Sequence, residues 1–323
     1  TGVLPHGAEA HDGGSWFADD RRNNGGQPEQ CGFVGADRGK DGLTFAKKTG
    51  NMKDKGRWCR MKRPITICLA NNKGGSGKST TCANVGYELS KMGYRVLLID
   101  GDMQMNLSLC FFPEEEVLEF ARSGQNLYTA VREQRDLTGY IRQTPYEGLD
   151  LVPSSSLMSG IEYELFTKWQ RELILRHCLE PVKQSGVYDF ILMDAPPTLG
   201  GWVMNLLCAA DHLLIPVEAS PWGLFGLANM LEFTATVRQI HPELSLMGVA
   251  VTKVDERKNY FRQTLDALRE TEGVHLLDSY IRVDSAIEWA QDNSKPVGAY
   301  KPGTRSAKEY RELTKEVVSL ADR

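Results

Sequence analysis

Asn71-Asn72-Lys73-Gly74-Gly75-Ser76-Gly77-Lys78-Ser79-Thr80 joins a short apolar run, residues 64–70 (PITICLA), to a stretch with helical spacing, residues 78–92. Gly93 stands where a C-terminal helix cap belongs. Between a strand and a helix, the glycines let the backbone curl so that successive N–H groups face an anion. The positive end of the helix dipole adds to that attraction. In this geometry Lys78 reaches the β- and γ-phosphates of a nucleotide and the Ser79 hydroxyl ligates Mg²⁺. The alternative is a glycine-rich turn with no ligand, and the G-G-x-G-K-S run in this context argues against it. The expected nucleotide contacts are therefore Lys73, Gly74, Gly75, Ser76, Gly77, Lys78, Ser79 and Thr80. The full P-loop pattern has glycine six positions before Lys78. Position 72 is Asn, so the loop is a deviant form with Lys73 just ahead of the glycine pair.

Working outward, further apolar runs follow at residues 95–100 (RVLLID), 149–153, 189–194 (DFILMD), 212–217 and 246–252. Helical segments are expected near 161–184, 203–210, 222–240 and 260–272. Near-continuous apolar strands alternating with helices predict a doubly wound, mostly parallel α/β sheet with helices on both faces. In such a sheet, ligands bind at the C-terminal ends of the strands, where the glycine loop falls. The fold class is thus a P-loop NTPase over residues 61–323. Residues 1–60 hold 12 of the 31 glycines and show neither periodicity. They are read as a disordered or non-native extension that buries too little apolar surface to offset its ordering entropy.

Two carboxylate stretches end strands beside the loop. Asp100-Gly101-Asp102-Met103-Gln104 closes the second strand, and Asp194 closes DFILMD before Ala195-Pro196-Pro197. One carboxylate of the first pair is expected to orient an attacking water or support the metal shell, with Asp102 favoured for the water. Asp100 has the alternative of capping the next segment. Phosphoryl transfer needs mainly positioning and charge neutralisation, which one such residue serves. Asp194 fits the second acidic element of P-loop enzymes, holding Mg²⁺.

Composition excludes several classes. Seven scattered cysteines without C-x-x-C, and six dispersed histidines, argue against a disulfide framework, a zinc site or an iron–sulfur site. A reducing cytoplasm is the expected compartment. A formal charge of −4 gives no global signal for nucleic acid. No apolar run is long enough to span a bilayer. The last helix mixes acidic and basic flanks around Tyr310, Leu313, Val317 and Leu320, which reads as core packing and not membrane targeting.

KGGSGKST (73–80), VLLIDGDMQMNLS (96–108), YDFILMDAPPTLG (188–200), NLLCAADHLLIPVEAS (205–220) and KPGTRSAKEYRELTKEV (301–317) together resemble the ParA/MinD family of deviant-Walker ATPases, specifically its ParA/Soj partition branch. The resemblance spans residues 61–323. It implies one α/β domain, ATP and Mg²⁺ as ligands, and a homodimer that forms when ATP is bound. It further implies that Lys73 crosses the dimer interface to the partner's nucleotide, that Lys73, Lys78 and Asp102 serve the chemistry of hydrolysis, and that Ser79 and Asp194 hold the metal. It implies non-specific DNA binding released by a ParB-like activator, and Arg257 matches a DNA-contacting arginine. Lys258 joins Arg257 in a basic cluster with Lys253 and Arg262. The implied function is ATP-driven partition or positioning of DNA. A related positioning ATPase with a protein cargo, or an ATP-binding scaffold with little hydrolysis, are the alternatives. Departures are Met103 in place of a family proline and Ile281-Arg282-Val283-Asp284 in place of the base-contacting loop, which leaves the adenine contacts open. Ala286 stands where an arginine often contacts DNA.

Overall fold

The computed structural model describes residues 63–321; the expected N-terminal extension, residues 1–60, and Met61 lie outside them. Strand β1 (Ile65–Leu69) leads through the glycine loop into α1 (Lys78–Lys91) and then β2 (Val96–Asp100). Three short helices follow: α2 (Asn106–Leu109), α3 (Glu114–Arg122) and α4 (Leu127–Arg132). Next come β3 (Arg142–Gln143), β4 (Leu149–Val152), α5 (Ile161–Phe166), α6 (Ile174–Gln184) and β5 (Phe190–Asp194). The chain continues as α7 (Gly201–Ala209), β6 (His212–Glu218), α8 (Pro221–Val237), β7 (Ser245–Val254), α9 (Asn259–Glu270) and β8 (Leu276–Arg282). It ends in α10 (Ser285–Asp292), α11 (Val297–Tyr300) and α12 (Arg305–Ala321).

The eight strands form one sheet in the order β3-β4-β2-β5-β1-β6-β7-β8, parallel throughout except for the antiparallel β3–β4 pair. β1 lies between β5 and β6, and the chain winds outward from it in both directions. That is the topological switch point at which open α/β sheets bind ligands.

Successive strand residues point to opposite faces, and each face builds its own core. Ile67, Leu69, Leu98 and Leu192 pack with α1, α2 and α10–α12. Cys68, Leu97, Ile191 and Met193 pack with α4–α9. Helix α1 lies close on the sheet at Gly86, where a Cβ would stand 2.7 Å from Leu98 Cδ2. The five described cysteines, Cys68, Cys82, Cys110, Cys178 and Cys208, are free and buried.

Two differences from the sequence expectation have clear causes. The helix expected over 161–184 is broken between α5 and α6, with Gln170 at φ +49. Asn205 of α7 takes up backbone groups at the break, accepting from Leu175 N and donating to the Arg171 carbonyl. The second difference is β8, an edge strand with polar residues at its centre. Its Asp278 and Ser279 N–H groups donate to the Glu316 carboxylate and its Arg282 N–H to Glu309, both on α12. Capping by a helix occupies donors that would otherwise invite edge pairing.

Candidate nucleotide site

The loop between β1 and α1 is shaped by two left-handed residues, Gly75 at φ +75 and Gly77 at φ +84, a conformation that glycine takes without cost. Gly77 is also the N-cap of α1, and among the described residues no side chain caps that terminus. The first N–H groups of the helix therefore face the loop's hollow, an arrangement suited to an anion. The loop's outer side is anchored. Asn71 Nδ2 donates to the Pro216 carbonyl at 2.8 Å, Asn71 Oδ1 accepts from Lys73 N at 3.0 Å, and Thr252 Oγ1 donates to the Ser76 carbonyl at 2.8 Å.

Register brings the carboxylates here. Asp100 at the end of β2 pairs with Asp194 at the end of β5, which also pairs with Leu69, the residue that ends β1. All three stand in one row across adjacent strands, immediately below the loop.

Their environments assign them different work. Asp100 is fully buried and accepts from Ser108 N at 2.8 Å, Ser108 Oγ at 2.6 Å and Asp102 N at 3.2 Å. Burial pushes its carboxyl up to about 7 against those hydrogen bonds. It holds α2 in place, which is the capping alternative. Asp102 lines the cleft, and its Oδ1 accepts only a local bond from Gln104 N at 3.0 Å. Asp194 is fully buried, and among the described residues neither of its carboxylate oxygens has a hydrogen-bond partner. Burial first and then Asp100 drive its carboxyl well above the usual carboxylate range, opposed by Ser79 and Lys78. Lys78 is buried, which lowers its ammonium, while Asp194 and Asp102 favour its charge.

Two orphaned carboxylate oxygens beside a serine hydroxyl suit a small hard cation with oxygen ligands. No group of three or more His, Cys, Asp or Glu suited to a metal occurs among the described residues. Such a site fits Mg²⁺ that draws its other ligands from phosphate and water, with Ser79 and Asp194 as the protein's share.

The cleft above the loop has a volume of about 580 Å³. One wall is the loop itself with Asp102, Gln104 and Pro197. The remaining wall is Thr252, Lys253, residues 281–284, and Ile287, Glu288 and Gln291 of α10. The stretch whose base contacts were left open in the sequence therefore does form part of the cleft. Gln291 Nε2 donates to Thr80 Oγ1 at 2.9 Å, tying that wall to the loop. Thr252, Lys253 and α10 were not singled out as nucleotide contacts in the sequence. The signal available was their position at the C-terminal ends of β7 and β8.

Lys73 does not line this cleft. Its ammonium is ion-paired to Glu218 at the end of β6 and donates to Ser220 Oγ at 3.0 Å. Arg257 and Lys258 lie in the β7–α9 connection at the same end of the sheet. Arg257 grips Asp255 with two hydrogen bonds, of 2.8 and 2.9 Å, and Lys258 Nζ lies 5.6 Å from the centre of the Tyr260 ring.

Comparison with known proteins agrees with this geometry. Residues 65–246 match the family model described as AAA domain. The sporulation initiation inhibitor protein Soj of Bacillus subtilis is 34% identical over 254 residues, 78% of this chain and 98% of that protein. The chromosome partitioning protein ParA of Caulobacter vibrioides is 32% identical, over 78% of this chain and 93% of its own length. Among solved structures, a cobyrinic acid a,c-diamide synthase from Mycobacterium smegmatis with bound ADP and magnesium superposes with a TM-score of 0.66 at 26% identity, over 78% of this chain and 93% of that one. A plasmid partition protein of Borrelia burgdorferi bound to AMPPNP shares the fold, with a TM-score of 0.64 at 24% identity over 80% of this chain and 98% of that one. A P-loop with its preceding lysine, a buried carboxylate row beneath it and identity across nearly the whole of Soj place this chain in the ParA/MinD family of P-loop ATPases, in its Soj/ParA branch.

Proposed function

We propose that the chain is an ATP-dependent dimerising switch that hydrolyses ATP to partition DNA, its ATPase domain spanning residues 61–323. The observation that carries this reading is the division of labour between two lysines five residues apart. Lys78 is buried beneath the phosphate hollow, facing Asp194 and Asp102. Lys73 stands outside the cleft, ion-paired to Glu218 and donating to Ser220 Oγ in its own chain, so a phosphate for it would come from a second subunit after that pair is released.

Within one subunit, Gly74–Thr80 would hold the phosphates through backbone N–H groups. Lys78 would neutralise charge at the β- and γ-phosphates. Ser79 and Asp194 would hold Mg²⁺, which when bound offsets charge on the phosphate oxygens. Asp102, half free in the cleft, would orient the attacking water. The partner's Lys73 would complete the charge balance across the interface.

The relatives named for chromosome partitioning support DNA as the cargo. Arg257 and Lys258 are the candidate contacts, with a ParB-like protein as activator and the cytoplasm, on bulk DNA, as the setting. Light scattering of the wild type and Lys73→Ala with ATP tests the core of the reading. An ATP-dependent dimer is expected for the wild type and a monomer for the variant. A wild type that stays monomeric with saturating ATP and Mg²⁺ would overturn it.

A further inference from the structure

We infer that Lys253 is a nucleotide-binding residue, its ammonium serving the α- and β-phosphates from the end of β7; this rests on the nucleotide reading above. Lys253 is the penultimate residue of β7 and sits at φ +52. A lysine in the left-handed region is strained, and such residues persist where their surroundings over-determine them. Here both flanking carbonyls are engaged. Thr252 O accepts from Ala219 N at 3.1 Å, and Val254 O accepts from Val283 N at 3.0 Å. The strained backbone turns the side chain back over the loop. Its Nζ lies 3.7 Å from the point where a Cβ on Gly75 would stand. Thr252, one residue earlier, fastens the same strand end to the Ser76 carbonyl.

Of the two cleft-lining cations outside the glycine loop and α1, Arg282 and Lys253, only Lys253 lacks a protein counter-charge among the described residues. Lys73 is paired with Glu218, Arg257 with Asp255, and Arg282 with both Glu256 and Glu309. Lys253 lines the cleft with no ion pair or hydrogen bond among the described residues. A cation held over an anion-binding loop without a protein counter-charge takes that charge from the ligand. Backbone N–H groups in this part of a P-loop cradle the α- and β-phosphates, and the loop lysine reaches the β- and γ-phosphates. The two lysines thus serve different ends of the phosphate chain. Lys253 therefore acts on ADP and ATP alike, whereas Lys73 acts only in the dimer.

The test is equilibrium competition of ADP, ATP and adenosine against a fluorescent ADP analogue, at low and high salt, with the full chain. Lys253→Asn removes the charge and keeps a residue that tolerates positive φ; Lys253→Gly is a second neutral variant, and Lys253→Arg restores the cation. Both neutral variants should bind ADP and ATP about five- to tenfold more weakly, by a common factor, with adenosine unchanged. Their affinity should also fall less with salt than the wild type's, and Lys253→Arg should recover most of the loss. Unchanged ADP affinity in both neutral variants, or a loss confined to ATP, would refute the assignment. A wild type that binds neither nucleotide would instead refute the nucleotide reading itself.

Discussion

Lys73 is ion-paired within its own chain to Glu218, across the gap between the glycine loop and the end of β6, and shares that position with Ser220. Both side chains are part-buried, 25% and 32% exposed. The ammonium that the dimer reading sends to a neighbouring nucleotide is therefore occupied at home and must be released first. Helix α8 supports this arrangement closely, since a Cβ on Gly226 would meet Asn71 Oδ1 at 3.0 Å and Lys73 Cβ at 3.3 Å.

Removing the charge of Glu218 should favour the released state. A partly exposed pair of this kind is worth about 0.5–1 kcal/mol, and a symmetric dimer releases two, so Glu218→Gln should dimerise with ATP at roughly five- to thirtyfold lower protein concentration. Sedimentation of both proteins across a concentration series reads this directly. A weaker dimer in Glu218→Gln would mean that the carboxylate serves the interface and does not oppose it.

Asp102 and Asp100 should separate cleanly by readout. Asp102 lines the cleft, so Asp102→Ala should leave folding and ATP-dependent dimerisation intact while phosphate release falls by about 100-fold or more. Asp100 is a buried hub for Ser108 and Asp102 N–H groups. Asp100→Ala leaves those donors unpaired and should cost about 2–3 kcal/mol of stability without nucleotide, seen as a lower melting temperature. The reverse pattern would exchange the two roles.

The central half of the fold was legible because its strands are buried on both faces and read as unbroken apolar runs, as in Phe190–Asp194. The glycine loop was legible because left-handed turns and close backbone approach leave their mark in residue type. The remaining wall of the cleft was less so. β8 carries Asp278 and Ser279 at its centre, with donors capped by Glu316 from a helix nearly forty residues on; no local pattern encodes that. Lys253 was visible only as one member of a charge cluster. Its separate position follows from a backbone conformation that lysine does not announce. The break between α5 and α6 depends on Asn205, thirty residues beyond Leu175.

Magnesium should bind weakly without nucleotide. With Ser79 and Asp194 as the proposed protein ligands, a cation that demands near-octahedral oxygen coordination would need phosphate to complete its shell. Mg²⁺ alone should barely move the melting temperature, while Mg²⁺ with ADP should raise it above ADP alone. Asp194→Ala should erase that extra increment. A large shift from Mg²⁺ without nucleotide would point to a separate, protein-built site.

Arg257 is 89% exposed yet held by Asp255, whose carboxyl the guanidinium's hydrogen bonds bring down to about 2. Asp255 stays ionised at any physiological pH and competes with phosphate for the same guanidinium. If this loop contacts DNA, Arg257→Ala should lower affinity and reduce the log–log salt slope by about one. Asp255→Asn should act in the opposite direction and tighten binding. Titration of fluorescent duplex DNA with ATP present measures both, and indifference to either change would move the DNA contact elsewhere.

Gly101 tests whether the carboxylate row depends on backbone approach. Its N–H donates to the Asp194 carbonyl at 2.9 Å, and its own carbonyl accepts from Trp202 Nε1 at 2.8 Å. A Cβ there would stand 2.7 Å from the Asp194 carbonyl oxygen and 3.2 Å from Leu206 Cδ1. The conflict is with backbone, so no rotamer change relieves it, and β2 must part from β5 at their ends. Gly101→Ala should therefore cost about 1–3 kcal/mol and displace Asp102 from Asp194, lowering hydrolysis more than nucleotide affinity. At Gly139 a Cβ would meet nothing within 4 Å, so Gly139→Ala should be neutral or stabilising by about 0.4–1 kcal/mol. Urea unfolding without nucleotide, together with phosphate release, measures both variants. Equal stability of the two would show that the ends of β2 and β5 separate at no cost, and the carboxylate row would then lack the rigidity that the division of roles between Asp102 and Asp194 requires.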